Sequence, residues 1–111
     1  MPKEEKKFET KIRNYLENEL GAWGFKYWAG SQFTKAGIPD LVYCLSSHFV
    51  AIEVKAQNGR PSELQLHNIR KIRNAGGMAF VVYPSGYEKL VDILNNLKLG
   101  YFSDDEEEIL K

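Results

Sequence analysis

Cysteine is almost missing from this chain: Cys44 is the only one in 111 residues. A lone cysteine excludes an internal disulfide and suits a reducing compartment, so the expected location is the cytoplasm. No CxxC or HxxxH spacing occurs, which argues against a structural zinc site. No apolar run approaches the ~20 residues that span a bilayer. The opening "MPKEEKKFETK" has no apolar stretch of the kind that marks a secretory signal. Net charge is also missing, at zero, and at first this speaks against a polyanionic partner. The charge is unevenly spread, however. From Asp104 onward the chain carries five carboxylates and one lysine, so the body before it holds 14 basic and 10 acidic side chains, a net of about +4. A mildly basic body with an acidic tail is compatible with nucleic acid, and equally with ordinary solubilising charge.

What is present suits one domain with a modest core: 43% of the residues are apolar. Phe8, Ile12, Tyr15, Leu16 and Leu20 fall on one helical face, ended by Gly21 and Gly24. "FKYWAG" (25–30) is aromatic-rich and predicts a strand. "SQFTKAGIP" is a polar loop. "GIPDLVYCLSSHFVAIEVKAQ" (37–57) predicts a hairpin turning at Ser46 and Ser47. Ser62 and Gln65 match a capping box opening a helix that carries Leu66, Ile69, Ile72 and Ala75 inward and ends at Gly76 and Gly77. "MAFVVY" (78–83) is a strand, broken by Pro84 and Gly86. A last helix, about 87–99, has Leu90, Val91, Leu94 and Leu97 at helical spacing, and the acidic tail after Gly100 is expected to fray. The order α-β-β-β-α-β-α implies an α/β fold, a mixed central sheet flanked by helices, as one domain over 1–103 with a flexible tail at 104–111.

The hairpin carries Asp40, Glu53 and Lys55 on strands otherwise made for burial. A two-residue turn pairs Leu45 with His48 and puts Asp40 opposite Glu53, while Glu53 and Lys55 share a face because they are two apart. Opposed carboxylates repel and resist losing water. Lys55 offsets part of that, and a hard divalent cation offsets more. A strand end whose charges simply face water is the alternative. Val42, Cys44, Phe49 and Ala51 share the charged face and Leu41, Tyr43, Val50, Ile52 and Val54 the other, so both faces look covered. Cys44 then reads as a core residue.

"IPD", the short hairpin and "IEVK" resemble the PD-(D/E)xK nuclease signature. "AGIPDLV" and "EVKAQNGRPSELQ", with a leading helix and a closing "GGMAFVVY", resemble its VRR-NUC branch over about Phe8 to Tyr83. That branch is common in phages, and Holliday-junction resolvases share its core. The resemblance implies a restriction-endonuclease-like core. It also implies metal ligation by Asp40, Glu53 and the Val54 carbonyl, with Glu9 touching the metal directly or through water. It makes Lys55 the catalytic lysine and Gln65 a helix residue bordering the site, with magnesium or manganese as cofactor and products bearing a 5′-phosphate and a 3′-hydroxyl. Gln65 could serve only the capping box, or both roles; Glu9 could be a solvated helix residue. Lys35, Arg60, Arg70, Lys71 and Arg73 are the candidates for phosphate contact, each alternatively an ordinary surface charge. Ser31, Gln32 and Phe33 are candidates for sugar or base contact. His48 and His67 read as bystanders. The implied function is a metal-dependent DNA endonuclease selective for a junction, flap or nick, in phage replication, recombination or repair. A symmetric junction would call for a homodimer. The rivals are a binding module of the same fold without chemistry, and an interaction domain using the acidic tail.

Overall fold

The computed structural model describes residues 3–28, 35–103 and 105–111. Ser31, Gln32, Phe33 and Asp104 fall outside them. Helix α1 (Lys3–Asn14) has Glu4 and Glu5 in its first turn and Lys11 and Arg13 in its last, the charge order that suits the helix dipole. It buries Phe8 and Ile12. The chain then widens into one π-type turn (Tyr15–Glu19), and Gly21, at φ +67°, ends it as expected.

Gly24 does not belong to that stop. It lies within strand β1 (Trp23–Lys26), which starts two residues earlier than the aromatic run suggests. A Cβ at Gly24 would sit 2.2 Å from the Val42 carbonyl oxygen and 2.5 Å from the Tyr43 ring, so only glycine lets β1 approach its neighbour. Strands β2 (Leu41–Leu45) and β3 (His48–Val54) form the expected hairpin. Ser46 and Ser47 both adopt positive φ, 51° and 68°, as the tight turn demands. Leu45 pairs with His48 and Leu41 with Ile52, the register read from the sequence.

Helix α2 (Glu63–Asn74) begins at the Ser62–Gln65 capping box and returns the chain to strand β4 (Met78–Val82), parallel to β3. Ala75, expected inward, is exposed at the helix end. A short 3-10 turn (Pro84–Gly86) leads into helix α3 (Tyr87–Lys98), which buries Leu90, Ile93, Leu94 and Leu97. The tail departs from expectation. Instead of fraying, Ile109 and Leu110 form a short strand β5 parallel to β4, and Leu110 is fully buried. Leucine after the acidic run is the reason: it fills the core beside α3.

The sheet runs β1-β2-β3-β4-β5, mixed and flanked by helices. Its two faces differ. One carries the main core, where Leu41, Tyr43, Val50, Ile52, Val54, Phe80 and Val82 meet α1 and α3. The other holds a small cluster of Ala51, Ala79, Val81 and Tyr83 under Ile69 of α2. α2 covers only part of this face. Phe49 and Cys44 are exposed and Val42 is half-buried, so the expectation of two covered faces, and of a core cysteine, fails at the β1–β2 end.

Candidate active site

Asp40 precedes β2, behind the buried Pro39. Its carbonyl accepts the Tyr27 N–H at 2.7 Å, which ties it to the end of β1. The loop before it is held down by α2. Asn68 Nδ2 donates to the Gly37 carbonyl at 2.8 Å. Gly37, at φ +76°, lies so close to Leu64 and Asn68 that a Cβ would collide at 2.6 and 2.8 Å. Asn68 is a positioning residue the motif does not reveal. The signal was available: it lies three residues after Gln65 on the same helix flank.

Asp40 Oδ2 accepts the backbone N–H of Val54 at 2.9 Å. A strand residue's N–H and C=O point the same way, so the Val54 carbonyl is directed toward the Asp40 side. Glu53 extends from the small-cluster face at 2% exposure. Its Oε2 receives Gln65 Nε2 at 3.1 Å and lies 3.4 Å from Lys55 Nζ. Its Oε1 is buried with no hydrogen-bond partner. Burial, and then the negative charge of Asp40, push the Glu53 carboxyl up to about 8, with Lys55 opposing them.

Gln65 serves both roles open to it. Its Oε1 accepts the Ser62 N–H at 2.8 Å while its Nε2 donates to Glu53. The cap therefore fixes the amide orientation that faces the site. The loop after Lys55 is equally restrained. Gln57 exchanges hydrogen bonds with Ser85 at 2.9 and 3.0 Å, and Tyr83 Oη donates to the Gly59 carbonyl at 2.9 Å. Arg60 is exposed on this loop.

Asp40, Glu53, Lys55 and Gln65 are thus brought together, with the Val54 backbone beside them. Glu9 is buried on the α1 side of the sheet, where Lys26 Nζ meets its two oxygens at 2.8 and 2.9 Å, and among the described residues it makes no direct hydrogen bond to Asp40, Glu53 or Lys55. Among the described residues no group of three or more His, Cys, Asp or Glu side chains could hold a metal. A magnesium-type ion needs no such group, since it typically takes one or two carboxylates and keeps its waters. The buried, unpartnered Oε1 of Glu53 beside a second carboxylate fits a hard cation.

The basic candidates divide. Lys35, Arg60 and Lys71 are exposed. Arg70 is exposed too, but pairs with Glu108 at 2.9 Å. Arg73, expected on the outer side of α2, is half-buried. It donates to the carbonyls of Ala79, Glu106 and Glu107 at 2.7 to 2.9 Å and so clamps the tail to the sheet. His67 is exposed, and His48 stacks on Phe102 with centroids 4.7 Å apart.

No helix among the described residues is long and apolar enough to cross a membrane. No curated protein matches the chain. Residues 4–85, a span that holds all but the first residue of α1, the hairpin, α2, β4 and every member of the constellation, match the family model described as the VRR-NUC domain. The chain belongs to the VRR-NUC family, a PD-(D/E)xK-type nuclease domain acting on DNA.

Proposed function

We propose that this nuclease is a metal-dependent endonuclease that hydrolyses DNA phosphodiester bonds and selects its substrate by structure, at a junction, flap or nick. The observation that carries the reading is Glu53: a buried carboxylate facing Asp40, held by Lys55 and Gln65, with one oxygen unsatisfied. Asp40, Glu53 and the Val54 carbonyl would hold magnesium or manganese. Such an ion, when bound, polarises the scissile phosphate and lowers the pKa of an attacking water.

The chain's own side chains do the rest. Gln65 fixes the Glu53 carboxylate by donating to Oε2. The Val54 N–H fixes Asp40. The Lys55 side chain, only 15% exposed, would orient the water and stabilise negative charge developing on the phosphate. Lys35, Arg60 and Lys71 are exposed and would supply salt-dependent, sequence-independent phosphate contacts. Two copies acting together would suit a symmetric junction.

The test is cleavage of labelled linear duplex, nicked duplex, flap, four-way junction and single strand with magnesium, with manganese and with EDTA, alongside Lys55→Ala. The expected result is cutting that needs the metal and is lost in the variant, with the best substrate naming the role. Binding without any cutting would instead support a non-catalytic DNA-binding module.

A further inference from the structure

Direct cross-strand partners share a face of the sheet. Trp23 pairs with Cys44 and Phe25 with Val42; Cys44 pairs with Phe49 and Val42 with Ala51. Ala51 belongs to the cluster under α2, so Trp23, Phe25 and Phe49 lie on the same face as Glu53. Trp23 is 74% exposed, Phe25 47% and Phe49 49%. Trp23 and Phe25 meet edge to face, with centroids 6.1 Å apart. Tyr27, two residues further along, follows the same alternation to the point where its N–H meets the Asp40 carbonyl. An aromatic floor therefore runs from the open end of the sheet up to the catalytic carboxylates.

The flank of this floor is basic. A cavity of about 450 Å³ lies between the 35–38 loop and α2, lined by Lys35, His67, Asn68, Lys71 and apolar neighbours, with no carboxylate in its wall. Ile72 joins the two regions: it lines the cavity and, with Phe49, closes over Gly77. Exposed apolar patches of this kind mark interaction sites. Aromatic floors beside basic flanks suit unpaired nucleic acid, because every base has a face to stack and every linkage carries a charge.

We infer that the uncovered sheet face of Trp23, Phe25 and Phe49 binds an unpaired nucleic-acid strand leading to or from the cleavage site, its bases stacking on these rings and its phosphates meeting Lys35 and Lys71. This rests on the nuclease reading for its direction, but the surface can be tested without cleavage. The structure selectivity then has a physical source: a branched or flapped substrate offers unpaired bases, and intact duplex does not.

The experiment uses a labelled 12-nucleotide oligothymidine and a blunt duplex of the same length, in EDTA so that nothing is cut, with anisotropy as the readout. The combined Trp23→Ala and Phe49→Ala variant is expected to bind the single strand at least tenfold more weakly and the duplex within twofold of wild type. Tyr101→Ala, which removes an equally exposed aromatic outside this face, leaves single-strand binding unchanged. Unfolding midpoints confirm the fold of each variant. Unchanged single-strand affinity, or equal loss on both ligands, overturns the proposal. So does sedimentation of the wild type as a dimer that Trp23→Ala converts to a monomer, which would reassign the face to self-association. Failure of wild-type protein to cut any substrate with magnesium would remove the nuclease reading while leaving these binding results standing.

Discussion

Among the described residues each face of the sheet buries one glutamate, and the two faces treat it differently. On the α1 and α3 face, Glu9 is matched by Lys26 at both oxygens inside a core of 18 buried apolar residues. On the α2 face, Glu53 faces another carboxylate, keeps one oxygen unsatisfied and sits beside a core of only five. Unsatisfied buried polar atoms are costly, and structures tolerate them where they serve a function. The larger core lies on one side and the candidate site on the other.

The comparison breaks most visibly if the thick face is emptied. Phe80→Ala should cost about 3–5 kcal/mol, read by denaturant unfolding. On the thin face, Lys55→Ala should lower kcat for the best substrate by about 10²–10³-fold while moving the unfolding midpoint little. If the two variants exchanged phenotypes, the division of labour would be wrong.

The pH dependence sharpens the contrast. Folded Glu53 keeps its proton to about 8, against an ordinary value of 4.5. Between those values the folded chain holds more protons than the unfolded one. Metal-free stability should therefore be greatest below about pH 4.5, as far as this group is concerned, and fall as pH rises through 8. Glu53→Gln should remove that slope in a pH series of thermal unfolding. Added magnesium should raise the wild-type midpoint more at pH 8 than at pH 5.5.

Smaller effects complete the series. Arg73→Ala, which frees three carbonyls and uncovers Phe80, should destabilise by about 1–3 kcal/mol. Trp23→Ala, on the open face, should stay within about 0.5 kcal/mol of wild type.

Much of this was legible in residue patterns. The hairpin register followed from a two-residue turn, and with it the approach of Asp40 to Glu53. The capping box predicted where α2 starts; which end of the Gln65 amide it leaves free for Glu53 only the structure shows. What escaped was non-local. Cys44 and Phe49 alternate like core residues, but nothing in their own strands says that α2 stops short of covering them. Glu9 has the spacing of a site residue; only the pairing of β1 reveals Lys26 beside it. Arg73 looks like a surface charge until the tail returns to meet it, and the tail looks disordered because five carboxylates outweigh the one leucine that anchors it.

That anchor bears on how copies of this chain could associate. Exposed sheet edges invite pairing between molecules, and proteins blunt them with short or charged strands. Here β5 is two residues long, follows a run of acids and closes the β4 side. β1 is left as the longer edge, four residues carrying a glycine. A sheet with one usable edge can join a second copy once and then has nowhere to grow. Edge pairing would end at two molecules rather than propagate into a fibre.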